Sequence, residues 1–164
     1  MLTRRTVVLG ALGAALAACT PSKFRSYNGP EVTRIDVFKD ARLLRLMHNE
    51  QQLLGAEFEL GFQPVGHKEV EGDGKTPIGK YIIDRKNPNS RYHLSIGISY
   101  PDNEDRARAW ARGMSPGGDI FIHGTPKEYV GQDDWTWGCI AVDNLIMEEI
   151  YAMVNVGTPI WLYP

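Results

Sequence analysis

Hydrophobic and polar positions divide the chain into three regimes. Residues 7–16 form an unbroken apolar run behind the basic pair Arg4-Arg5. That run is far shorter than the roughly 20 residues a helix needs to cross a bilayer, so residues 1–18 read as a signal peptide and not as a membrane domain. Residues 20–30 are polar and aperiodic, with Pro, Ser, Asn and Gly. They predict a tether, within a segment spanning 19–31, that reaches about 35 Å if fully extended. From residue 32 onward, β-rich runs punctuated by Gly and Pro predict strands at 33–38 and 42–47, joined as a hairpin through Lys39-Asp40-Ala41, and at 56–62, 81–84, 92–98 and 158–163. Helical spacing is confined to 104–112, opened by Asn103 and closed by Gly113, and to 145–154, capped by Asp143 or Asn144 and followed by Gly157. The expectation is one mainly β domain over residues 32–164 with one or two helices.

Charge and cysteine content sharpen this picture. A formal charge of −2, with the basic residues scattered, leaves no stripe of the kind that neutralises a phosphate backbone, which argues against nucleic acid as a partner. The apolar run ends on Leu16-Ala17-Ala18-Cys19, which resembles the lipobox of bacterial lipoproteins. On that reading Cys19 is lipidated, and the protein is held to a membrane by its lipid in the cell envelope, facing the periplasm. Thr20, standing where aspartate is the usual retention signal, points to the outer membrane. Thr3-Arg4-Arg5 also resembles a twin-arginine export signal. With two cysteines in all, consumption of Cys19 leaves Cys139 without a disulfide partner in an oxidising compartment.

Two stretches carry candidate chemistry. The first runs Gly66-His67-Lys68-Glu69-Val70-Glu71-Gly72-Asp73-Gly74-Lys75-Thr76-Pro77-Ile78-Gly79-Lys80-Tyr81. Its Gly74-Lys75-Thr76 imitates the end of a phosphate-binding loop, but Glu69 occupies the place of the required first glycine, so it reads as a tight glycine-rich turn. In the second, His123 ends the apolar strand Ile120-Phe121-Ile122, and Cys139 opens another after Trp135-Thr136-Trp137-Gly138. Adjacent strands lie about 4.8 Å apart, so two such ends bring an imidazole within reach of a thiol. Imidazole takes the proton near neutral pH, and the thiolate is the nucleophile. Gly138 lets the backbone turn and present amides to an oxyanion. A metal site drawn from His48, His67, His93, His123 and Cys139 has none of the close spacings of familiar zinc motifs, so no metal or other cofactor is expected. The blander accounts are a structural histidine, a buried cysteine acting as a small hydrophobe, and a wall-binding lipoprotein without catalysis.

Together, Gly72-Asp73-Gly74-Lys75-Thr76-Pro77, Ile122-His123-Gly124-Thr125 and Trp135-Thr136-Trp137-Gly138-Cys139-Ile140-Ala141-Val142 closely resemble the L,D-transpeptidase family, the YkuD domain, in its members with a Gly-Cys-Ile-Ala-Val core. The resemblance implies a β-sandwich of mixed sheets. It also implies attack on the diaminopimelate carbonyl of a peptidoglycan tetrapeptide stem, release of D-alanine, and a thioester passed to an amine. Water in place of the amine would make the enzyme an L,D-carboxypeptidase or a hydrolase that detaches wall-linked groups. Carried over by position, Cys139 is the nucleophile, His123 the base and the Gly124 carbonyl its orienting group, with the amides of Trp137, Gly138 and Cys139 forming the oxyanion hole. Trp137 and Thr136 are the candidate substrate contacts. The chain departs from many members in placing Trp137 where they have a second histidine and Ala141 where they have a polar residue, and in a shorter loop between His123 and Thr136.

Overall fold

The computed structural model describes residues 22–164. The segments read as a signal peptide and a lipobox, with Cys19, lie outside those residues. Eight strands, β1 (Arg34–Phe38), β2 (Leu43–His48), β3 (Gln51–Glu57), β4 (Gly79–Asn87), β5 (Ser95–Ile98), β6 (Phe121–Gly124), β7 (Ile140–Val142) and β8 (Pro159–Tyr163), are joined by two helices, α1 (Asn103–Ala111) and α2 (Asn144–Met153). Their order is β3-β2-β1-β8-β4-β5-β6-β7, with β4 shared by two sheets and shifted in register between Ile83 and Arg85. Strand pairs β1–β8 and β6–β7 are parallel and the rest antiparallel, the mixed sheets expected of this fold. The two ends of the sheet meet, because Glu59 and Ala141 exchange backbone hydrogen bonds of 2.8 and 2.9 Å.

The strands expected at 33–38, 42–47 and 158–163 are present as β1, β2 and β8, and each turns apolar side chains inward. Ile35, Val37, Leu44 and Leu46 from one sheet and Ile96, Ile98, Ile122 and Ile140 from the other share a single core with Met147 and Ile150 of α2. Burying a Leu or Ile side chain contributes roughly 1.5–3 kcal/mol, so these contacts dominate the hold between sheets. Strand β3 departs from expectation. It spans Gln51–Glu57 and is not the 56–62 run, whose later residues make only isolated bridges. As an edge strand exposed along most of its length, β3 needs no alternation, and its Gln51-Gln52 start carried no apolar signal. Residues 92–94 likewise turn before β5 begins.

Two further features bear on the site. Lys39 lies in the expected hairpin connection between β1 and β2, yet it is 2% exposed, and its ammonium donates to the carbonyls of Gly66 and, at 3.0 Å, of Thr76. Residues 22–30, expected as free tether, lie along the domain, because Lys23 and Arg25 find acceptors on it and Tyr27 packs against the core. Asp102, and not Asn103, caps α1 through a capping box with Asp105. Asp143 caps α2.

Candidate active site

Parallel pairing of β6 with β7 sets His123 opposite Ala141, two residues after Cys139. The imidazole and the thiol therefore lie at the same end of the second sheet, and both line a cleft of about 310 Å³ with Arg91, Tyr92, Ser95 and Asp119. On its other side Cys139 lines a larger cleft of about 740 Å³, walled by Lys68, Glu71, Ser115, Asp119 and Trp137. Cys139 and Asp119 are common to both clefts.

His123 is 3% exposed. Its Nδ1 lies 2.8 Å from the Gly124 carbonyl, and since a carbonyl only accepts, Nδ1 carries the proton and Nε2 keeps its lone pair in the neutral ring. One ring face is covered by Tyr92, stacked at 4.5 Å, while Trp135 packs at 5.6 Å. Burial lowers the imidazole pKa below its usual 6.5, opposed by the Gly124 hydrogen bond. A Cβ at 124 would lie 2.2 Å from Asn144 Oδ1 and 3.0 Å from the Tyr92 carbonyl, so a larger residue there must displace the Asn144 side chain and press on the 88–93 loop.

The thiol of Cys139 donates to the Asp119 carbonyl at 3.5 Å, and the Phe121 backbone amide faces the sulfur as a donor that favours the thiolate. Burial pushes its pKa up to about 11, while the charges of Lys68 and Arg85 pull the other way. Both shifts favour the uncharged forms of the two groups.

The turn before the thiol is held from several directions. Asp134 forms a two-pronged ion pair with Arg42 and accepts from the Leu60 amide at 3.2 Å. Thr136 is 3% exposed and pairs through its backbone with Leu60 and Phe62. Its hydroxyl donates to the Cys139 carbonyl at 2.8 Å and accepts from the Gly138 amide at 3.2 Å, so it is engaged inside the protein. The Thr76 hydroxyl, in turn, donates to the Gly138 carbonyl at 2.8 Å. Among the described residues the amides of Trp137 and Cys139 have no protein acceptor, whereas that of Gly138 does.

Trp137 is 73% exposed, edge-on to Phe62 at 5.1 Å, and so is not core packing. Tyr92, Trp135, Lys39 and Thr76 were not legible as site residues. Thr76 sat inside a motif that reads as a turn, and the aromatic pair is marked by nothing in its local sequence. Among the described residues no cluster of three His, Cys, Asp or Glu side chains is placed to hold a metal ion.

Comparison with known proteins agrees with this architecture. The model of the YkuD L,D-transpeptidase catalytic domain matches residues 32–162. "Putative L,D-transpeptidase YafK" of Escherichia coli K12 is 32% identical over 127 residues, covering 74% of this chain and 46% of the relative. Among solved structures, the helical cell shape determining protein Pgp2 from Campylobacter jejuni superposes with a TM-score of 0.66 at 27% identity, covering 83% of this chain and 49% of that one. Bd1075 of Bdellovibrio bacteriovorus follows with a TM-score of 0.58 at 22% identity, over 81% and 48% of the two chains, and supports the fold alone. The chain spans about half the length of these relatives. On the match over residues 32–162 and on this fold, the chain belongs to the L,D-transpeptidase YkuD family.

Proposed function

We propose that this protein is a peptidoglycan L,D-transpeptidase that works through a thioester on Cys139. The observation that carries the reading is a buried imidazole whose Nδ1–H is fixed by the Gly124 carbonyl, sharing a cleft with the only thiol among the described residues. In the reaction His123 Nε2 takes the thiol proton as Sγ attacks the diaminopimelate carbonyl of a tetrapeptide stem. The C–N bond to D-alanine then breaks, the imidazolium returns the proton to the departing amine, and an acyl-thioester remains. An incoming amine attacks that thioester, loses a proton to His123, and restores the thiol. The amides of Trp137 and Cys139 are available to the developing oxyanion, and that of Gly138 joins them by releasing Thr136 Oγ1. Thr136 acts by holding this turn, not by touching substrate through its hydroxyl. The two clefts that meet at Cys139 give donor and acceptor separate approaches.

Incubation with purified tetrapeptide muropeptides, followed by mass spectrometry, tests the reading. Loss of D-alanine with formation of a cross-linked product is expected. Loss with addition of water alone would mark a carboxypeptidase, and unchanged stems would refute stem acylation. Trp137, exposed on the wall of the larger cleft, stacks on the substrate in this reading. Trp137→Ala should raise KM by about two- to tenfold, given about 0.5–1.5 kcal/mol for an aromatic contact, with Tm unchanged. A large fall in Tm would instead give the indole a structural role. The lipidated, periplasm-facing placement through Cys19 is part of this proposal, tested by fatty-acid labelling that Cys19→Ala should abolish.

A further inference from the structure

The first described residues lie before the stretch that the family model matches, yet they grip the loop beside the site. Lys23 Nζ donates to the carbonyls of Pro88 at 2.7 Å and His93 at 2.8 Å, the two ends of one loop. Arg25 bonds Glu148 Oε2 on α2 at 2.9 Å through Nε, and His93 Nε2 donates to the other oxygen of the same carboxylate at 2.9 Å. Phe24 packs against Tyr151 of α2 at 6.2 Å, but most of the segment is solvent-exposed, and a cleft of about 350 Å³ lies against Arg25, Tyr27, Leu53 and Met153. Its hold therefore comes from charged hydrogen bonds more than from buried apolar area.

The gripped loop is the one that covers the imidazole. Asn89, Ser90, Arg91 and Tyr92 line the smaller cleft with His123 and Cys139. Tyr92 stacks on the imidazole, and its carbonyl accepts the Gly124 amide at 3.0 Å, beside the carbonyl that orients Nδ1. His93 holds a positive φ of 70°, a conformation costly for a side-chain-bearing residue that persists where its surroundings enforce it. Lys23 and Glu148 supply that enforcement.

We propose that residues 22–27 form a strap whose Lys23 and Arg25 are positioning residues, fixing the 88–93 loop and, through Tyr92, the His123 imidazole over Cys139. The strap lies outside the matched catalytic domain and makes the reactivity of the pair depend on the segment that leads into it. This inference rests on the proposed Cys139–His123 chemistry.

The test is the rate at which a carbapenem acylates the full chain, followed by intact-protein mass spectrometry, for wild type, Lys23→Met/Arg25→Met and Lys23→Arg. The double variant should be slowed by about tenfold, within the range that small misplacements of reacting groups produce. Its Tm should stay near that of wild type, and Lys23→Arg, which keeps a cation able to bridge two carbonyls, should retain most of the rate. Wild-type speed in the double variant would overturn the strap. So would slowing accompanied by a matching loss of Tm in both variants, which would make the segment merely structural. Absence of any adduct on wild type would instead count against the thioester reading itself.

Discussion

His123→Ala should slow acylation of Cys139 by roughly 100- to 10,000-fold at neutral pH, the span that a positioned base contributes. The reason lies in the resting pair. With the thiol pushed up to about 11 by burial, only roughly one thiol in ten thousand is ionised at pH 7 without help. In the variant, hydroxide must do what Nε2 does, so raising the pH from 7 to 9 should return about 100-fold of the rate. The wild type behaves differently. Burial lowers the imidazole pKa, so the neutral base persists below pH 6.5 and the acid limb of the wild-type profile should fall below that value. The same shift links to stability: a histidine with a depressed folded pKa leaves the fold unaffected above its unfolded value and weakens it as pH falls through the folded one. Rates of adduct formation from pH 5 to 10 check both halves. Full-speed labelling of the variant at pH 7 would remove His123 from the mechanism.

Gly138→Ala should be strongly damaging although it touches neither member of the reacting pair. Gly138 has a φ of 116°, and a Cβ there would lie 2.4 Å from the Lys75 carbonyl. That oxygen is backbone in the loop whose Thr76 is tied to the Gly138 carbonyl and to buried Lys39, so it has little room to retreat. Strain of this kind costs about 1–3 kcal/mol, with a similar cost for overpacking. The shift it forces moves the amides flanking Cys139, and misplacement by about 1 Å can reduce rate by about 100-fold. Activity should therefore fall further than the Tm loss explains, as paired melting and acylation measurements would reveal. A variant with wild-type rate would mean that the turn does not shape the oxyanion site.

What could be read in the sequence depended on whether a residue's role was local. Strands β1, β2 and β8 declare themselves because each presents a dry face at period two, and α2 does so through Asp143 and a continuous apolar stripe. His123, Gly138 and Cys139 stand out only through the family motif they complete together, since a strand-end histidine or a glycine before a cysteine carries little meaning alone. Strand β3 was missed because an exposed edge imposes no pattern. Lys39 does lie in the β1–β2 turn, but a lone lysine in a turn gives no sign that two distant carbonyls will receive it. Tyr92 and Trp135 reach His123 from separate segments, a convergence that only the parallel β6–β7 pairing and the 88–93 loop create. Residues 22–30 looked like a tether because polar composition says how a segment is solvated, not where its charges find partners.

The central claim is that the Cys139 sulfur is the atom that becomes acylated. Intact-protein mass spectrometry of wild type and Cys139→Ala, each incubated with a carbapenem and then with tetrapeptide muropeptides, tests it most directly. The wild type should carry a single covalent adduct, mapped to Cys139 by peptide digestion, and Cys139→Ala none at any pH. An adduct that persists on Cys139→Ala, or stem turnover by that variant, would contradict it.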